Sequence, residues 1–180
     1  MRLFIAVSCK GETSAALVAL RDRLRALAQR GNFSRTENLH LTLVFLGETP
    51  ESQLPRIGAL INAALDGRER GLCLNFCRTG CFRHSGKELW WLAPAPDDPG
   101  LPRLLALRSR LAAALEQAGI AFDGRPFSAH ITLGREIRGT GGKAEALVPG
   151  IPVPIDRISL MKSEHRAGLL VYTELVGYDI

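Results

Sequence analysis

His40-Leu41-Thr42-Leu43 and His130-Ile131-Thr132-Leu133 are two copies of one tetrapeptide pattern, ninety positions apart in a chain of 180 residues, and they use two of its four histidines. In an extended strand successive side chains point to opposite faces. Each His and the Thr two places on therefore share a face, while Leu41 with Leu43, and Ile131 with Leu133, point into the core. A single alternating H-x-T-L is most often just a strand with a half-buried histidine. A second copy, with an apolar residue again at the x position, argues against coincidence. If the two strands face each other across a groove, two imidazoles and two hydroxyls surround one small group, which suits acid–base chemistry on a phosphate.

Outward from the first copy, Leu3 to Ser8 reads as a buried strand. Leu17, Leu20, Leu24 and Leu27 follow at helical spacing and end near Gly31, with Arg21, Arg23 and Arg25 on the solvated face. After the His40 strand, Thr49-Pro50 reads as the N-cap and first position of a helix on Leu54, Ile57 and Ile61, stopped by Asp66-Gly67. Leu72 to Cys77 and Glu88 to Ala93 read as strands joined by a polar loop holding Arg83, His84 and Lys87. A Pro-rich stretch, Pro94 to Pro102, leads to a third helix on Leu104, Leu107, Leu111 and Leu115, closed by Gly119, and then to the His130 strand. Gly139 to Gly142 reads as loop, and strands near Ile155 to Lys162 and Leu169 to Tyr178 finish the chain. Strand, helix and H-x-T-L strand thus occur twice. The expected architecture is α+β, with two pseudo-two-fold-related lobes of antiparallel-rich sheet, helices on their outer faces and a central cleft. No linker separates them, so residues 1–180 read as a single bilobal domain with an internal duplication, approximately 1–87 and 88–180.

Hydrophobic residues make up 46% and charged residues 23% of the chain, an ordinary balance for a globular protein. The 23 Lys and Arg against 18 Asp and Glu leave a net charge of +5, which leans toward anionic ligands such as nucleotides or RNA. Cys9, Cys73, Cys77 and Cys81 lack the close C-x-x-C pairs of a zinc site and read as reduced thiols. The start of the chain has too little charge and too short an apolar run for a signal peptide, and no segment approaches membrane-spanning length. A cytoplasmic enzyme that needs no metal and no cofactor is the expected placement.

The segments Arg2-Leu3-Phe4-Ile5-Ala6, Glu37-Asn38-Leu39-His40-Leu41-Thr42-Leu43-Val44-Phe45-Leu46-Gly47-Glu48 and Phe127-Ser128-Ala129-His130-Ile131-Thr132-Leu133-Gly134-Arg135 together resemble the bacterial and archaeal RNA 2',3'-cyclic phosphodiesterases. These were historically called 2'-5' RNA ligases and belong to the two-histidine phosphoesterases. Gly80-x-Phe82 followed by Leu89-Trp90, and Leu160-x-x-Ser163 with Gly168, Tyr172 and Leu175, extend the likeness nearly end to end. Two departures are Ala129, where the family usually has Pro before the second His, and Ser8-Cys9-Lys10, where a Pro usually follows the first strand.

The resemblance implies metal-independent hydrolysis of an RNA 2',3'-cyclic phosphate end to a 2'-phosphate. On this chain His40 would be the general acid toward the departing 3' oxygen and His130 the general base toward water. Thr42, Thr132 and Arg135 would bind the phosphate oxygens. The implied partner is RNA or an oligonucleotide with a cyclic phosphate end, acted on by a monomer away from membranes. Alternatives on the same scaffold are 2'-5' ligation or hydrolysis of other nucleotide or ADP-ribose cyclic phosphates. A different class is an RNA-binding protein with incidental catalysis, and a zinc hydrolase lacks a third ligand at suitable spacing. His84 reads as an exposed loop residue, His165 as a turn residue, and Trp90, Trp91 and Phe45 as core aromatics before base-stacking ones. Arg35, just ahead of the first motif strand, could reach a backbone phosphate.

Overall fold

The structure, a computed structural model, describes residues 1–139 and 146–180. Along the chain these form β1 (Arg2–Ser8), α1 (Gly11–Arg25), β2 (Arg30–Phe33), β3 (His40–Glu48), α2 (Leu54–Ala64), β4 (Cys73–His84), β5 (Lys87–Pro94), α3 (Leu101–Gln117), β6 (Ile131–Arg138), β7 (Ala146–Pro154), β8 (Arg157–Arg166) and β9 (Leu169–Asp179). The strands pair antiparallel in the order β7-β4-β5-β6-β3-β1-β8-β9, with β2 beside β6. The α+β class and antiparallel sheet expected from the sequence are observed.

This path has a seam. β3 and β6, the two motif strands, pair at Leu41 with Ile131, the x residues of the two tetrapeptides. On one side lie β3-β1-β8-β9 and on the other β7-β4-β5-β6, each centred on a strand and its antiparallel motif strand: β1 with β3, β5 with β6. Each side draws on both halves of the chain, because β8 and β9 extend the side begun by β1, and β4 lies beside β5. Beyond the seam β2 takes over the edge of β6, with Asn32 opposite Arg135 and Phe33 opposite Gly134.

The expected apolar face of each motif strand is buried: Leu41, Leu43, Ile131 and Leu133 join Leu3, Ile5 and Val7 in the main core. Burying each such side chain contributes roughly 1.5–3 kcal/mol. α1 adds Leu17, Leu20 and Leu24, and α3 adds Leu104, Leu107, Leu111 and Leu115. β1 is buried on its second face too, where Phe4 and Ala6 meet Met161 beneath Phe45 and Tyr172. That small cluster supports the floor of the cleft on the His40 side. At the end of α3, Gly119 takes φ +68°, and the amides of Gly119 and Ile120 bond to the carbonyls of Glu116 and Leu115. This left-handed stop is the one the sequence spacing predicts.

Several details differ from the sequence reading. The polar loop expected between the middle strands is a two-residue turn, Ser85-Gly86, both at positive φ, so Arg83, His84 and Lys87 sit in strands. β7 contains Pro149, Pro152 and Pro154, residues that argue against a strand unless it lies at a sheet edge, which is where β7 lies. β2 is four residues with Gly and Asn among them, a segment with no strand signal of its own. Pro50 caps a single 3-10 turn, Glu51–Gln53, and the second α-helix starts only at Leu54. Arg21 is not on the solvated face of α1 but buried, donating to the Ser34 carbonyl at 2.7 Å. The loop read at Gly139 to Gly142 lies, apart from Gly139, outside the described residues.

Candidate active site

His40 opens β3 and His130 immediately precedes β6. The two imidazoles are tethered alike: Nδ1 of His40 lies 2.7 Å from the Asn38 carbonyl oxygen, and Nδ1 of His130 lies 2.8 Å from that of Ser128. A carbonyl can only accept, so each Nδ1 carries a hydrogen and each Nε2 is left for chemistry. The tether comes from the backbone two residues upstream in both copies. Ala129 in place of the family's Pro leaves it intact.

Pairing of Leu41 with Ile131 makes that residue pair the centre of a local two-fold. Either side of a matched antiparallel pair, position 40 stands beside 132 and position 42 beside 130. His40 and His130 are then diagonal neighbours, a relation that in regular sheet spans about 7–8 Å. The charge of a protonated His130 is felt at His40. Nε2 of His40 is 2.9 Å from the Thr42 hydroxyl.

The two rings have different surroundings. His40 lies against Phe4, with centroids 4.9 Å apart, and edge-on to Tyr172 at 5.0 Å. His130 meets Phe82 edge-on at 5.6 Å, and Phe82, 49% exposed, leans on Trp91. Burial, then the nearby Arg135 and His130 cations, push the His40 pKa down to about 4, outweighing the Asn38 hydrogen bond. Burial and Arg135 also lower His130. Both shifts favour the neutral rings near pH 7.

A folded pKa below the unfolded value near 6.5 means that the unfolded chain binds the proton more tightly as pH falls. His40 is therefore expected to cost stability progressively between about pH 6.5 and 4, by at most about 3 kcal/mol at the acid end. Urea midpoints at pH 7 and 4.5 check this. His40→Gln should shrink the difference between them, and an undiminished difference would assign the acid sensitivity to other groups.

Arg135 reaches the site through an irregularity. Strict alternation would place it with Ile131, Leu133 and Ile137 on the core face. Instead Glu136 adopts φ +54°, and the pairing of β6 with both β5 and β2 shifts register there. Such a bulge re-aims the neighbouring side chain. Arg135 is exposed and lines two adjoining cavities. One, of about 600 Å³, also holds His40, Thr42, Phe45, Lys162 and Tyr172. The other, of about 510 Å³, also holds His40, Thr132, Asn32, Arg35 and Tyr172. His130 borders neither and sits across the seam against Phe82.

Elsewhere, His84 is exposed at the end of β4 in a separate depression. His165 is the penultimate residue of β8 rather than a turn residue, and it lines the larger cavity with His40. Trp90 is core, while Phe45 is half-buried in the cavity wall. Arg35 is ion-paired with Glu37. Sequence reasoning assigned no site contact to Phe82, Tyr172 or Lys162, although the first two fall in the wider family-like pattern. All four cysteines are free thiols, and among the described residues no group of three His, Cys, Asp or Glu side chains is placed to hold a metal ion. No helix among the described residues is long and apolar enough to cross a membrane.

A family model described as the 2'-5' RNA ligase superfamily matches residues 15–167. The chain belongs to that superfamily. Similar proteins within it include the RNA 2',3'-cyclic phosphodiesterase of Thermus thermophilus, 32% identical over 189 aligned positions, covering 100% of this chain and 90% of that protein. The RNA 2',3'-cyclic phosphodiesterase of Thermotoga maritima is 31% identical over 173 positions, covering 91% and 87%. Among solved structures, E. coli LigT complexed with 3'-AMP superposes with a TM-score of 0.77 at 25% identity, covering 99% of this chain and 96% of that one. Superfamily membership thus spans both H-x-T-L strands and the seam between them.

Proposed function

We propose that this superfamily member hydrolyses RNA ends bearing a 2',3'-cyclic phosphate to 2'-phosphates, without a metal ion, as a monomeric cytoplasmic enzyme. The observation that carries the reading is the seam. The two H-x-T strands meet at their x residues, with matching Nδ1 tethers that leave two Nε2 atoms for one substrate group. The names of the Thermus and Thermotoga relatives supply the substrate class.

In this mechanism His130 takes a proton from water as its oxygen bonds to phosphorus. The bond from phosphorus to the 3' oxygen breaks, and His40 gives that oxygen its proton. Two groups in opposite protonation states are needed, so one ring must gain a proton before reaction. A phosphodiester anion favours this, because it offsets the burial and the Arg135 charge that lower the titration of both rings. Protonation of His40 also frees Thr42. The neutral ring accepts the Thr42 hydrogen at Nε2, whereas the charged ring has no lone pair there, and the hydroxyl can turn to a phosphate oxygen. Thr132 from the other strand and the Arg135 guanidinium supply further donors where negative charge gathers. Residues 1–180 act in this reading as one catalytic domain built by duplication, near 1–87 and 88–180, with strands exchanged between the halves.

An oligoribonucleotide ending in a 2',3'-cyclic phosphate, incubated with the protein and excess chelator, tests the proposal. A 2'-phosphate product is expected. A 3'-phosphate would reverse the leaving oxygen, activity lost to chelator would remove metal independence, and no product would remove the enzyme reading for this substrate class.

A further inference from the structure

Beside the site, β2 and the end of β6 form a ledge whose charge is unusual for paired strands. Arg30 stands directly opposite Arg138. Like charges in that position repel and destabilise the pairing. Both arginines are exposed, and neither forms an ion pair among the described residues. Glu136, whose carboxylate feels the Arg138 charge, is already held by Lys87 and by the Asn32 amide. Two cations therefore face one another with no ion pair of their own among the described residues.

The ledge leads into the catalytic cleft. Arg30 and Arg138 line an open depression of about 390 Å³ together with Gly31, Asn32 and Glu136. Those last three residues also line the cavity that contains His40, Thr132 and Arg135. The two spaces are neighbours, with these three residues forming a wall of each. Arg138 lies three residues beyond Arg135, past the bulge at Glu136, so a phosphate held between Arg30 and Arg138 sits further from the seam than one held by Arg135. A second anion on the same molecule fits that offset.

We propose that this ledge binds the backbone of the RNA strand leading up to the cyclic end, with Arg30 and Arg138 together gripping a phosphate 5' to the one that reacts. Guanidinium groups bind phosphate through paired N–H donors, and a phosphate between them turns their mutual repulsion into shared attraction. The ledge carries no catalytic group. It sets preference for an oligonucleotide over a mononucleotide, and this inference rests on the phosphodiesterase reading given above.

The test compares wild type with the double variant Arg30→Gln, Arg138→Gln on two substrates: a nucleoside 2',3'-cyclic monophosphate and an oligouridylate ending in a 2',3'-cyclic phosphate. For the oligonucleotide, KM should rise about 10-fold with kcat unchanged, and the slope of log affinity against log salt should flatten by about 0.7, one single-strand phosphate's worth. Kinetics on the mononucleotide should stay the same. Because a repulsive pair is removed, the melting temperature should not fall, which separates this result from damage to the fold. Unchanged oligonucleotide kinetics, or an equal loss on both substrates, would overturn the ledge. If wild type hydrolyses neither substrate, the catalytic reading fails by itself. Fluorescence anisotropy with a labelled oligouridylate ending in a 2'-phosphate then decides the ledge: weaker binding by the variant upholds it and equal binding removes it.

Discussion

His40→Ala and His130→Ala should each lower kcat on an RNA 2',3'-cyclic phosphate by roughly 10²- to 10⁴-fold, and combining them should cost far less than the product of the two. Each ring moves a proton that the other cannot, so losing either stalls the same step. The pH profile carries a sharper expectation. Both imidazoles titrate below their ordinary value in the free protein, His40 near 4. The form with one ring charged and one neutral is therefore most populated on the acid side of pH 6.5. A bell-shaped kcat/KM, which reports the free enzyme, should peak there, and kcat, which reports the complex, should peak at higher pH because the bound anion raises both values. A kcat/KM optimum well above pH 7 would contradict the lowered titration of both rings. Single variants should lose one limb of the bell each.

Arg135→Ala should lower kcat by about 10²- to 10³-fold, the usual cost of removing a donor aimed at charge that develops in the transition state. Arg135→Lys should recover only part of that, because one ammonium cannot span two phosphate oxygens as a guanidinium does. A second readout separates this role from simple damage. Arg135 is among the charges that hold both imidazoles down, so its removal should move the kcat/KM optimum upward. A variant with lost activity and an unmoved optimum would place the guanidinium away from the two rings.

Much of this was legible along the chain. Period-two alternation in the motif strands predicts which residues go inward, and Leu41, Leu43, Ile131 and Leu133 are all buried. Helical spacing with a terminal Gly119 predicts α3 and its stop. These features are local: each depends on side chains a few positions apart. The failures have a shared cause. β2 lacks strand propensity and β7 is interrupted by three prolines, and both form by pairing along a neighbouring strand, β2 along β6 and β7 along β4. Arg21 reads as a surface arginine by its charge, yet it shares the face of Leu17 and Leu24, where the Ser34 carbonyl gives it a buried partner.

By itself, the amino-acid order determined that two identical chemical units exist, each an imidazole and a hydroxyl on the polar face of a strand, because side-chain alternation is a property of the extended backbone. Only the tertiary structure decided that those units meet at Leu41 and Ile131, that a bulge at Glu136 turns Arg135 into the cleft, and that His40 is packed between Phe4 and Tyr172. Register between distant strands, bulges and burial all depend on which surfaces come together in space. No spacing along the chain encodes them.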